Sequence, residues 1–341
     1  MKKLKKLLMG LFVMLCTNAL MAQDPSFSQF FSSPLNINPA LTGNINADWR
    51  FISNLRDQWI GPASPYVTGT VSFDSKILQQ KMLHVEEKNI WALGGMFMFD
   101  HAMSGVVKSV YGSGNLSYNV KLGENAYGGK YRLGLGFGAT YGRRFVDFSR
   151  VDFEEQFTGH GFNTNLPTGE VALSNMKPYV SASVGVLYSY ITERSNFDMG
   201  VAAYHVNKPK QTFLEDDNQI LPMRKVAHAN FETYFNERIV FNANGIYQFQ
   251  KEATYFSVGA ALGYLLGDAN ETLITGGLWY WSDNAVVPYV GIAYGKFQFG
   301  ASYDLTIMKL NQATRKPNTW ELSIILRGSR NPTPIIPCPW K

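Results

Sequence analysis

Five histidines mark the places where chemistry could be sought: His84, His101, His160, His205 and His228. They lack the close spacing of a metal site, and neither HExxH nor CxxC occurs. The hydrolase elbow GxSxG is absent too. Gly134, Gly136 and Gly138 have the look of a nucleotide loop, but Leu135 and Phe137 alternate with them, which places the glycines on the small face of a strand. The best acid–base candidate is Asp100 beside His101, near a turn, as in barrel hydrolases that set an Asp–His or Ser–His pair at the rim. Adjacent strand residues point to opposite faces, which works against the pair. The expectation is therefore no catalytic group, no metal and no cofactor, with these side chains serving structure at the loop bases.

The elements that carry them repeat one theme beyond Trp59. Segments of about ten residues alternate apolar with small or polar side chains and are separated by turn formers. In Tyr131–Tyr141, Leu133, Leu135, Phe137, Ala139 and Tyr141 share one face, opposite Arg132, the three glycines and Thr140. Ile239–Phe249 and Phe297–Ile307 behave alike, the latter setting Phe299, Ala301, Tyr303 and Leu305 against Gln298, Gly300, Ser302 and Asp304. A soluble sandwich would load its polar face with Lys and Glu; here that face is mostly Gly, Ser, Thr and Asn. Tyr179, Tyr188, Tyr190, Trp279, Tyr280 and Trp281 fall near strand ends, where a lipid–water interface favours aromatic rings. About fourteen such segments start near Trp49, Tyr66, Trp91, Val107, Tyr131, Tyr179, Phe197, Val226, Ile239, Thr254, Glu271, Ala285, Phe297 and Trp320. The fold expected is all-β: a transmembrane antiparallel barrel of about 14 strands in the outer membrane, closed so that no edge meets lipid.

Composition agrees. Charged residues are 17% of the 341, below the roughly 25% of ordinary soluble domains, and Gly, Tyr, Phe and Trp are plentiful. The net charge of +5 is concentrated at the start, where Lys2, Lys3, Lys5 and Lys6 precede an apolar run from Leu7 to Leu15 and the end Leu20-Met21-Ala22. This reads as a secretory signal over residues 1–22, cleaved before Gln23. Without it the chain has 27 basic and 26 acidic side chains, which excludes a basic nucleic-acid binder. Cys338 is then the single thiol.

Residues 23–47 differ from everything after them. Pro25, Phe27, Phe30, Phe31, Pro34, Leu35 and Pro39 are too aromatic for a disordered linker and too irregular for a strand. The apolar side chains need cover, so this segment is expected to fold into the lumen or across the periplasmic mouth as a plug or docking segment. Residues 48–328 would form the barrel and 329–341 a tail. Arg56, Gln58 and Trp59 are expected at the first outer turn, cross-linking loops or lumen-facing acids. With both termini periplasmic, the long connections Arg150–Lys177 and Asn207–Lys225 face outward, and Ser75–Asn89 faces the periplasm with the spacing of a short helix.

The opening run Gln23-Asp24-Pro25-x-Phe27-Ser28-Gln29-Phe30, followed by Pro34 and Asn38-Pro39-Ala40-x-x-Gly43, resembles the start of the PorP/SprF family of outer-membrane proteins associated with the type IX secretion system of Bacteroidetes. Further matches are Arg50, Arg56-Asp57-Gln58-Trp59, Asp74, Asn207-Lys208-Pro209, Leu221-Pro222-x-Arg224, His228 and Ser302-Tyr303-Asp304. The family's usual Cys-Pro-x-Phe ending departs here to Cys338-Pro339-Trp340. The resemblance implies a non-enzymatic accessory that helps export or hold particular substrates such as adhesins. Its implied partners are outer-membrane lipid, other secretion components and the C-terminal domains of substrates. Asp24, Pro25, Phe27, Gln29, Phe30, Asn38, Pro39, Arg56, Gln58 and Trp59 are the residues expected to serve plug or partner contact. A channel for small or hydrophobic solutes and a lipid hydrolase are the alternative readings of a barrel this size.

Overall fold

In the computed structural model the strands run in chain order as β1 (Trp49–Ile60), β2 (Tyr66–Ile77), β3 (Asn89–Ala102), β4 (Val107–Glu124), β5 (Lys130–Val146), β6 (Tyr179–Ile191), β7 (Ser195–Tyr204), β8 (Arg224–Tyr234), β9 (Ile239–Gln250), β10 (Ala253–Leu266), β11 (Thr272–Trp281), β12 (Ala285–Tyr294), β13 (Phe297–Tyr303), β14 (Leu305–Thr306) and β15 (Asn318–Gly328). The structure describes residues 24–61, 64–78, 89–168, 176–211, 220–267, 272–282, 285–307 and 317–329. The leader, Cys338 and most of the Ser75–Asn89 connection lie outside these residues. Ile77, within the stretch expected as a short helix, instead closes β2 opposite Trp91.

Each strand pairs antiparallel with its sequence neighbours, and β1 pairs with β15, from Trp49 against Gly328 to Asp57 against Trp320. The ring is thereby closed with 14 staves, β14 being a two-residue continuation of β13 beyond Asp304 that pairs with β12. Closure satisfies the backbone all round, as a hydrocarbon environment demands. β1 starts and β15 ends at the same rim, which in outer-membrane barrels is periplasmic. The longest connections, between β5 and β6 and between β7 and β8, lie at the other rim.

Alternation sorts the side chains as the pattern requires. Phe73, Phe97, Phe137, Leu262, Leu278 and Phe299 are exposed on the outer wall. Ser72, Asn115, Ser117, Asn242, Asn244 and Ser302 are buried inside. Three aromatics depart from the expected interfacial belt. Tyr179, Trp279 and Trp281 are buried and face the lumen. Their parity decides this, since each shares a face with inward Ser181, Gly277 or Thr275 while Tyr280 points out. They face inward because the lumen contains apolar side chains to pack against.

Candidate functional site

Those side chains belong to residues 24–48, which descend through the lumen from the outer rim to the start of β1. The local sequence dictates the path. Pro34 and Pro39 open a one-turn helix (Pro34–Ile37) and a 3-10 turn (Pro39–Leu41) at positions where a missing N–H costs nothing. Asn38 caps the second turn, its Oδ1 accepting from the Ala40 N–H at 2.8 Å. Gly43 takes a left-handed φ of 68°.

At the outer end Asp24 meets His205 Nε2 at 2.8 Å and Arg224 Nε at 3.2 Å, and its N–H donates to Gln250 at 3.1 Å. Burial alone would raise its carboxyl, but the Arg224 guanidinium and His205 outweigh that and hold it at about 2. Arg224 also lies over the Tyr204 ring and donates to the Asn36 carbonyl at 3.0 Å. The Pro25 carbonyl accepts from Asn36 Nδ2 at 3.4 Å.

Next along the segment, Phe27 packs with Met98, Tyr111, Tyr179 and Leu221. Phe30 joins a cluster with Ile37, Trp279 and Tyr289, and the Phe31 ring lies tilted with its centroid 4.9 Å from that of Trp279. Burying side chains of this size stabilises by about 1.5–3 kcal/mol each.

Between these clusters lies the densest polar contact. The Ser28 and Gln29 N–H groups donate to the two Glu321 carboxylate oxygens at 2.8 and 3.1 Å. Gln29 Nε2 donates to Ser302 Oγ and the Glu321 carbonyl, while its Oε1 accepts from Ser323 at 2.7 Å. Arg56 holds both acids, Asp304 at 2.8 Å and Glu321 at 3.1 Å, and also reaches Ser28 Oγ. All three charged side chains are at most 3% exposed, so each depends on the others for solvation.

On the opposite wall Asn38 Nδ2 donates to the Val186 carbonyl at 3.1 Å and sits 3.0 Å from His228 Nε2. A Cβ at Gly185 would collide with Asn38, and one at Gly136 with the backbone of Pro39 and Ala40. The glycines of β5 and β6 therefore serve backbone approach. Near the periplasmic rim Arg50 grips Asp74 with two bonds of 3.0 and 2.9 Å, and Asp74 also accepts from the Gly43 N–H at 2.7 Å.

The expected positions thus divide. Asp24, Pro25, Phe27, Gln29, Phe30, Asn38 and Pro39 line the descending segment. Arg56, Gln58 and Trp59 belong to β1 rather than to its following turn: Arg56 points into the lumen and Gln58 accepts from it at 3.4 Å. Trp59 is left-handed, donates its N–H to Thr319 and meets Tyr66 edge-on. Glu321, His205, Ser302 and Tyr289 were not among the expected site residues. For Glu321 the signal was present, since a strand acid on a face of small polar residues must find a cation across the lumen. Asp100 accepts from Thr68 at 2.6 Å on the inner side while His101 lies against Phe99. Among the described residues no three His, Cys, Asp or Glu side chains converge where a metal could sit.

The model of a family described as type IX secretion system membrane protein PorP/SprF matches residues 19–326. The chain belongs to this family. It is accordingly an outer-membrane barrel of the type IX secretion system, and membership argues for a non-enzymatic role. The PorP/SprF barrel is similar in outline to the toluene transporter TbuX of Ralstonia pickettii, at 13% identity and a TM-score of 0.48, covering 87% of this chain and 94% of that one. It is similar also to a FadL homologue of Pseudomonas aeruginosa, at 11% identity and a TM-score of 0.45, covering 85% and 92%. A search of curated proteins found no match.

Proposed function

We propose that this PorP/SprF protein is a plugged accessory barrel, required for export or surface attachment of particular type IX substrates such as adhesins, rather than a conduit for solutes. The filled lumen supports this reading. Residues 24–48 are held by buried and half-buried bonds from β1, β2, β6, β8, β13 and β15, and an open pore would leave the Glu321 carboxylate without the Ser28 and Gln29 amides that now satisfy it. Gln29 and Arg56 are both buried, so contact with substrate C-terminal domains or with other secretion components falls to the rims. Deletion of the gene followed by a census of surface proteins tests the role: selective loss of one substrate class is expected, and an unchanged surface overturns it. Reconstitution in planar bilayers tests the plug, with silence expected and steady ohmic conductance favouring a channel.

A further inference from the structure

The outer wall is not uniformly convex. Across β5–β9 two lateral rows of lipid-facing residues lie one above the other. One runs Leu135 to Val186 to Val201 to Ala227 to Tyr247, and the next, nearer the outer rim, runs Phe137 to Val184 to Ala203 to Lys225 to Phe249. Both rows are bulky at their ends and small at Ala203 and Ala227, and the result is an apolar trough of about 710 Å³. Its floor includes Gly136 and Gly185, the same glycines that admit the luminal segment from the other side, so the wall is thin here.

The charge above the trough is specific. Lys225 is the charged residue of these rows, one residue inside the start of β8, with its ammonium 5.9 Å from the Phe249 ring. A cation on the lipid face is tolerated near the headgroup level and is costly deeper. Lys208 joins it at the same rim and is held there by its surroundings. Asn207 clamps the edge of β6, accepting from the Ala182 N–H at 2.9 Å and donating to the Val180 carbonyl at 2.8 Å. Lys208 follows in a left-handed turn, its N–H donating to the His205 carbonyl at 2.9 Å. An apolar slot lined at its outer end by Lys225, with Lys208 in a turn of the same rim, complements a molecule with an acyl chain and an anionic head.

From this geometry we infer that the wall of β5–β9 is a binding site for a phosphorylated, acylated glycolipid of the outer leaflet, of the lipid A class, with an acyl chain in the trough and a phosphate at Lys225 and Lys208. The outer rim decides the source, because the mouth of the trough opens at the headgroup level of that leaflet.

Native mass spectrometry of the full barrel in nonionic detergent tests this, with diphosphoryl lipid A as the probe. Expected results are a discrete lipid adduct, roughly tenfold weaker binding for the Lys208→Ala/Lys225→Ala double variant, and loss of the adduct for Ala227→Phe. Ala301→Phe on the lipid face of β13, far round the wall, should bind as the native chain does. Heat-modifiable mobility in gels confirms that each variant is folded; a misfolded Ala227→Phe passes the steric test to Ala203→Leu. Equal binding by the double lysine variant overturns the proposal. So does equal competition by phosphatidylethanolamine or phosphatidylglycerol, or a dimer without lipid adducts, which would seat a second copy in the trough.

Discussion

The two walls that grip residues 24–48 do so by opposite means. The wall of β1, β13 and β15 offers side chains: Arg56, Glu321, Ser302 and Ser323, with Asp304 just beyond β13, reach inward and bond Ser28 and Gln29. The wall of β5 and β6 offers their absence, receding at Gly136 and Gly185 until Pro39, Ala40 and Asn38 lie against strand backbone. An irregular segment in a lumen has unpaired amides, and they can be met either by groups that reach out or by a wall that comes close. The first solution fails when something is removed, the second when something is added.

Removal should have the largest effect. Arg56→Ala leaves two buried carboxylates facing each other, and a loss of about 3–5 kcal/mol in urea unfolding of the detergent-folded barrel is expected. A loss under about 1 kcal/mol would break the charged-wall account. Acid should act next, through Asp24. Its folded value of about 2 lies below the ordinary 3.8, so its contribution is complete above about pH 4 and is lost as pH falls through about 2. Linkage puts this at about 2 kcal/mol. Asp24→Asn should flatten that part of the stability–pH curve, and an unaltered curve would dismiss the Arg224–His205 clamp.

Addition on the other wall comes third. Gly185→Val is expected to cost about 1–3 kcal/mol by pushing Asn38 from the strand, and to render residues 24–48 cleavable by added protease. Gly276→Val, on the lipid face with nothing within 4 Å of its Cβ position, is the matched control and should leave cleavage unchanged. The smallest change expected is for Asn38→Ala, about 1 kcal/mol, since the Ala40 and Val186 bonds are lost but no charge is stranded. If Asn38→Ala exceeded Arg56→Ala in the same assay, the ranking of the two walls would be reversed.

Much of this was legible locally. Alternation in Tyr131–Tyr141 and Phe297–Ile307 placed Phe137 and Phe299 outside and Gly136 and Ser302 inside, because a period of two is a property of the strand itself. The direction of Tyr179, Trp279 and Trp281 was not, because an aromatic at a strand end suits an interfacial belt and an apolar lumen equally. Apart from Arg56, the partners of Ser28 and Gln29 are close to the other end of the chain, as with Glu321 to Ser28 at a separation of 293 residues, and no spacing rule spans that distance.

The sequence by itself determined the barrel, its strands and the need of residues 24–47 for cover, since periodicity, closure and the aversion of phenylalanine to water act through each segment's own residues. Tertiary structure alone decided that the segment enters the lumen with Asp24 at the outer rim, that Arg56 turns inward to two acids, and that three glycines read from the sequence as a strand's small face include one that the segment's backbone rests on. Those outcomes depend on which walls closure brings face to face, and the lumen between them forms only once β15 has paired with β1.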